Sequence, residues 1–192
     1  MAGQKLSFER EVEELLQNRS VIYRSNVQST KLPDFTIGTS SAFHVELKEK
    51  RNRYSPKNWK GEMPQQWMFI LDELTVRKLT LTYSCSGIMV RDDSAVGYYF
   101  CGIIGLLTMP RVRTNRMMMG SYVKGKWILD LRNFKKADSL PGAMRNLKLY
   151  RASCIKDATQ SACYEEHIGE DVGISGSDRT VEQIKHDYEA TR

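Results

Sequence analysis

The chain has 192 residues, 41% apolar and 27% charged, with 29 basic and 23 acidic side chains and a net charge of +6. That balance excludes wholesale disorder, collagen and a simple coiled coil, and the length suffices to bury a core without disulfides. The longest apolar stretch, around Tyr98 to Met109, falls short of the ~18–20 residues of a membrane-spanning helix and contains Gly102 and Gly105. The N-terminus MAGQKLSFERE has no apolar signal segment, and the four cysteines form no CxxC pair. An intracellular protein with reduced thiols is expected.

In chain order, Ser7 suits a helix N-cap, and Phe8, Val12, Leu15 and Leu16 form one apolar stripe of a helix ending near Asn18. Val21–Arg24 reads as a short strand, and SNVQSTKL as a polar loop. Asp34–Ile37 and Phe43–Lys48 read as strands of a hairpin closed at Gly38-Thr39-Ser40-Ser41. After a basic, Trp-containing loop, Pro64 opens a predicted helix, with Trp67, Ile70, Leu71 and Leu74 at helical spacing through about Leu79. A strand is predicted within Thr80–Val90, a turn at Arg91–Ser94, a buried strand at Tyr98–Leu107, another strand at Lys126–Leu131, and a turn at Pro141-Gly142. Helix, hairpin, helix and further strands give a mixed α/β (α+β) domain, a central mixed sheet flanked by helices.

Charge is uneven along this order. Residues 111–156 carry 12 basic and 2 acidic side chains, whereas residues 157–192 carry 3 basic and 9 acidic. The expected division is a domain over 1–156, with a basic extension from about 111, and an acidic, weakly structured tail over 157–192, with a short helix near Val181–Ala190. A basic block inside a globular domain points to a polyanion, nucleic acid first. Lys50, Arg51, Arg53, Lys57 and Lys60, interleaved with Tyr54 and Trp59, read as a phosphate-gripping loop with stacking aromatics. Arg111, Arg113, Arg116, Lys124 and Lys126 form a second phosphate-contact set, and Met117–Met119 between them a loop tip or interface patch.

The chemistry concentrates between Lys31 and Arg51. Alternation along a strand puts Glu46 and Lys48 on one face and Val45 and Leu47 on the other, and the hairpin brings Asp34 beside the first pair. Two carboxylates and an ammonium on one face are costly unless they have partners. They suit a hard divalent cation, Mg²⁺ or Mn²⁺, with the lysine acting on a water or on developing charge. His44 shares the Glu46 face and is expected as a satisfied strand histidine rather than a site member.

Pro33-Asp34, a spacer, and Glu46-Leu47-Lys48 resemble the signature of the PD-(D/E)XK nuclease superfamily. SFEREVEELLQNRSVIYRSNVQSTKLPDF is similar to the start of archaeal-type Holliday junction resolvases, in which a Glu-Arg pair on an N-terminal helix precedes the PD strand. The resemblance covers about residues 3–90 and implies a restriction-endonuclease-like core, Mg²⁺ with Mn²⁺ as substitute, cleavage of DNA and a homodimer. It assigns Asp34, Glu46, the Leu47 carbonyl and Glu9 to the metal, Lys48 to catalysis, and Arg10 and Gln66 (with Gln65 its rival) to the nucleic acid. On the helical wheel Glu9 and Glu11 occupy the two shoulders of the apolar stripe, so Glu11 is the rival of Glu9. Other functional readings are a restriction or RNA endonuclease on the same core, and an inactive nucleic-acid-binding module.

Overall fold

The structure, a computed structural model, describes residues 7–29, 31–39, 42–55, 59, 63–82, 85–118 and 122–164. The chain divides into two compact units, Met1–Ser153 and Cys154–Arg192. Helix α1 spans Phe8–Asn18 and starts as expected: the Ser7 hydroxyl accepts a hydrogen bond from the Arg10 N–H at 3.3 Å. Its buried residues are Phe8, Val12 and Leu16, one every fourth position. Strands β1 (Tyr23–Ser25), β2 (Phe35–Ile37) and β3 (Phe43–Lys50) follow, antiparallel to one another in sequence order. Gly38, at φ 89°, takes the left-handed conformation after β2 that glycine adopts without strain. Ser40 and Ser41 of the expected turn lie outside the described residues.

The apolar stretch after Pro64 differs from its expected helix. Pro64–Trp67 is a turn, Met68–Asp72 is strand β4, and only Glu73–Thr82 is helical, as α2. Phe69 and Leu71 enter one core while Met68 and Ile70 pack in another, so both faces of β4 are covered. A strand buried on both faces reads as an unbroken apolar run, which also satisfies helical spacing. Leu74, part of the expected stripe, is exposed; α2 buries Val76 and Leu79 instead.

Strand β5 (Ser86–Asp92) is buried along its whole length and runs parallel to β3. Arg91 and Asp92 belong to it, so the turn comes later, at 93–96. The expected strand Tyr98–Leu107 is two elements: β6 (Gly97–Gly102) and a short helix α3 (Ile103–Thr108). Both are apolar, but α3 buries Ile103 and Leu106 and exposes Ile104, the pattern of a half-buried helix turn. The basic block holds an unforeseen strand, β7 (Arg111–Met118), paired with β8 (Tyr122–Asp130); Met119 lies outside the described residues. A 3-10 turn at Leu131–Asn133 and strand β9 (Lys135–Ala137) lead to helix α4, Leu140–Tyr164. Pro141-Gly142 therefore lies in the first turn of α4, where a proline is tolerated. Of the second unit, the described residues, Cys154–Tyr164, are helical rather than loosely ordered. The expected helix at 181–190 lies outside the described residues.

The central sheet is mixed, in the order β1-β2-β3-β5-β6-β9, and a second sheet is β4-β8-β7. On one face of the central sheet, α1 and α4 pack on Phe35, Phe43, Val45, Leu47, Met89 and Phe100. On the other, α2, α3 and the small sheet enclose Ile88, Val90 and Tyr99. Gly102 allows α4 to press against β6: a Cβ there would stand 2.1 Å from the Tyr150 ring. Among the described residues no helix is long and apolar enough to cross a membrane.

Lys50 does not reach the surface. Its side chain is fully buried, its ammonium 2.8 Å from the equally buried Asp92 and bonded to the Gln66 carbonyl. The expected phosphate contact at Lys50 is therefore corrected: this lysine ties β3 to the end of β5 and to the turn before β4. Asp92 also accepts from the Ser94 N–H at 2.9 Å and the Ser94 hydroxyl at 2.7 Å. In Asp92→Ala the ammonium keeps only the Gln66 carbonyl, and we expect a loss of about 3–5 kcal/mol in urea unfolding. Lys50→Met, which leaves Asp92 its turn donors, should cost less; the reverse order would contradict this account.

Candidate active site

The β2–β3 register pairs Phe35 with Val45, Thr36 with His44 and Ile37 with Phe43. Carried back one residue, it sets Asp34 opposite Glu46, just before β2 begins. The Leu47 N–H, left without a β2 partner, donates to the Asp34 carboxylate at 2.7 Å. In an antiparallel ladder a residue's N–H and C=O face the same neighbour, so the Leu47 carbonyl also lies on the β2 side, past the start of that strand. Val45 and Leu47 are buried in the α1/α4 core, and Glu46 and Lys48 point to the opposite face, as the alternation requires.

Glu46 is 4% exposed and held by two lysines. Lys48 Nζ stands 2.6 Å from Oε1, and Lys78 Nζ, from α2, 3.0 Å from Oε2. Lys78 also donates to the Leu32 carbonyl at 3.2 Å. Asp34, Glu46, Lys48 and Lys78 thus form a charge-balanced quartet. Burial and then the Glu46 carboxylate raise the Asp34 pKa above its ordinary value; the Leu47 N–H, Lys48 and Lys78 oppose the rise without cancelling it. Lys78 was not foreseen. It sits between exposed Arg77 and buried Leu79, a place of no note in the sequence, and only the β3–α2–β5 crossover carries it to Glu46.

Glu9 stands apart from the quartet. It is half-buried and lines a cavity of about 700 Å³ with Arg10 and Glu13, facing the loop Ser25–Ser29. That loop is tied to the Asp34 strand: the Asn26 N–H donates to the Asp34 carbonyl at 2.8 Å and its side-chain amide to the Pro33 carbonyl at 3.1 Å. Among the described residues no three His, Cys, Asp or Glu side chains converge on a metal position. The side-chain donors are two, Asp34 and Glu46, with the Leu47 carbonyl as a third oxygen. Repulsion between the two carboxylates is what a cation relieves, and a set of few hard oxygens completed by water suits Mg²⁺. The residues present therefore fit a hard divalent cation.

Glu11, the rival of Glu9, has structural work instead. It is 2.8 Å from Arg91 and accepts from the Tyr98 hydroxyl, whose pKa is pushed up to about 12 by burial and then by this bond. Buried Arg91 also meets Glu49 at 2.6 Å and lies 5.3 Å from the Phe8 ring centroid. Glu49 accepts from the Phe8 N–H at 2.9 Å. This cluster fixes the first turn of α1 against β3 and β5, and Glu9 with it. His44 bonds Thr36 across the hairpin at 3.1 Å, and burial lowers its pKa, the structural role expected of it.

The expected nucleic-acid contacts divide. Arg10 and Arg53 are exposed, and Arg10 is 3.7 Å from Glu14. Arg51 is exposed but bonded to Glu49 at 2.7 Å, and Arg113 to Glu73 at 2.9 Å. Lys126 is paired with Asp72. Arg111 lies over the Trp127 ring at 4.2 Å. Trp59 is corrected as a base-stacking platform: it is 8% exposed, with Arg116 at 4.7 Å over its ring and Tyr54 edge-on at 6.2 Å. Lys124 is half-buried; Gln66 is exposed in the turn before β4, not on a helix, as is half-buried Gln65. Lys57 and Lys60 lie outside the described residues.

No family model matches the chain, and neither does the sequence of any curated protein. Two solved structures are similar in backbone course. Hjc, a Holliday junction resolvase from Archaeoglobus fulgidus, is 14% identical, with a TM-score of 0.41 over 66% of this chain and 84% of that one. D212, a nuclease from a fusselovirus, is 7% identical, with a TM-score of 0.43 over 77% of this chain and 87% of that one.

A carboxyl whose folded pKa lies above its unfolded one holds its proton more tightly when folded. Ionised Asp34 therefore costs stability; the cost is absent below the ordinary value of 3.8 and complete above the folded value. Asp34→Asn keeps an acceptor for the Leu47 N–H and removes the cost. In EDTA at neutral pH its urea midpoint should exceed that of the parent, with the gap closing as pH falls toward 3.8. A variant less stable than the parent at neutral pH would contradict this.

Proposed function

We propose that this chain is a divalent-metal-dependent endonuclease that hydrolyses phosphodiester bonds in DNA, branched or junction DNA included. The observation that carries the reading is the convergence of Asp34, Glu46 and Lys48 where β2 begins against β3. Asp34, Glu46 and the Leu47 carbonyl would hold Mg²⁺, or Mn²⁺ in its place, which when bound supplies Lewis-acid polarisation of the phosphate and a more acidic water. Glu9 flanks the site across the loop Ser25–Ser29 and is proposed to act through a water.

Lys48 is the group proposed to act on the reacting atoms. It keeps 32% of its side chain exposed while its ammonium sits on Glu46, so it can reach a phosphate without leaving its strand. There it orients the attacking water and stabilises charge gathering on the phosphoryl oxygens as the water's oxygen bonds to phosphorus and the bridging P–O bond breaks. Lys78, anchored to the Leu32 carbonyl, holds the other Glu46 oxygen and fixes that carboxylate in place. A homodimer belongs to the same reading; the exposed Ile104 and Leu107 of α3 offer it apolar surface. So does an intracellular location, which the free thiols of Cys101 and Cys154 suit.

The test is cleavage by purified protein in Mg²⁺ or Mn²⁺ of a panel holding four-way junction, flap, linear duplex, single-stranded DNA and RNA. Cutting should need the metal, be abolished in Asp34→Ala and Glu46→Ala, and fall by about 10²–10⁴ in Lys48→Ala. The preferred substrate separates junction cleavage from restriction or RNA cleavage. Cutting retained in EDTA or in Asp34→Ala would overturn the proposal. Tight, salt-sensitive binding without cutting would assign the chain to the inactive binding modules.

A further inference from the structure

The cations that the sequence brings to notice are mostly used inside the molecule. Lys50, Arg51, Arg113 and Lys126 each pair with a carboxylate. A different set is left over. Arg19 at the C-cap of α1, Lys136 on β9, and Arg145 and Lys148 on α4 line one cleft of about 520 Å³, with Asp138 as its single carboxylate. All four cations are exposed, and none forms an ion pair with a described residue. Arg145 and Lys148, three residues apart on a helix, share a face. Two elements distant in sequence thus bring their spare cations to β9.

We propose that this cleft is a second contact for the phosphodiester backbone of the nucleic acid; the proposal rests on the nuclease reading above. Four exposed cations around one cleft with a single carboxylate suit a ligand that carries several negative charges in a row, which a phosphodiester backbone offers. Lys136 stands on β9, an edge strand of the central sheet, where an extended chain can pass. Lysine on an edge strand also discourages strand addition, but this explains Lys136 alone and not the arginines and lysine of the two helices. An acidic protein would use apolar anchors beside its charges. The lining here offers only Ala137 and Pro141, and regularly spaced phosphates need none.

The test compares full-length protein with the variant carrying Arg19→Gln, Lys136→Gln, Arg145→Gln and Lys148→Gln, all exposed positions. Duplex binding is followed in Ca²⁺ by anisotropy over a salt series, and cutting of the duplex and of the whole substrate panel is followed in Mg²⁺. At ~0.9 per phosphate contact, the slope of log K against log salt should become shallower by about 3 to 4, while the single-turnover rate at saturating protein is unchanged. Unchanged slope and affinity with cutting intact would overturn the cleft and leave the nuclease reading standing. The expected slope change in a protein that cuts nothing would sustain the cleft and sink that reading. Loss of binding to poly-glutamate with duplex binding intact would overturn the cleft in favour of an acidic protein.

Discussion

The hydrogen bond from the Leu47 N–H to the Asp34 carboxylate is the joint on which the site depends. It exists because β2 begins only at Phe35 and leaves the next backbone donor of β3 without a ladder partner. A side chain completes the ladder in place of backbone, and Asp34 is thereby set beside Glu46. A sheet that continued one residue further would satisfy Leu47 with a carbonyl and release the carboxylate. The bond comes with repulsion between Asp34 and Glu46, and two lysines offset it from opposite directions, one on the same strand and one on the crossover helix.

A second buried charge cluster holds the frame around that joint. Arg91 joins Glu11 of α1, Glu49 of β3 and the Phe8 ring, and so locks the helix start to the two parallel strands. Glu9 and Glu11 are neighbours in sequence with opposite fates. One is consumed in this lock and the other faces the cavity beside the Asp34 loop. The lock makes the direction of Glu9 a consequence of the core rather than of helix periodicity alone. Lys50 and Asp92 do the same at the next residue of β3. The strand that carries Glu46 and Lys48 is thus pinned just beyond them, at its last two residues.

Much of this was legible in the sequence because the governing rules are local. Ser7 caps α1, alternation along β3 separates Glu46 and Lys48 from Val45 and Leu47, and the hairpin brings Asp34 to Glu46. The failures come where an apolar run is covered on both sides. Met68–Leu71 satisfies a strand and a helix equally well, and Tyr98–Leu107 hides the change from β6 to α3. Charge misled in a different way. Lys50 follows the motif in a basic run, yet its neighbour across the sheet, Asp92, draws it inside. Arg113 and Lys126 look free until the small sheet places Glu73 and Asp72 beside them. Conversely, Lys78 and the four cations near β9 gain their meaning only from the crossover and from the approach of α1 and α4 to one sheet edge.

If Asp34 and Glu46 share a divalent cation, Mn²⁺ titration followed by electron paramagnetic resonance reads it directly, without substrate. The full-length protein should bind Mn²⁺ saturably, and Asp34→Asn and Glu46→Gln, each with native circular dichroism, should lose that site. Saturable Mn²⁺ binding unaltered in both variants, or none in a parent protein that still cuts DNA, would contradict the placement of the metal between these two carboxylates.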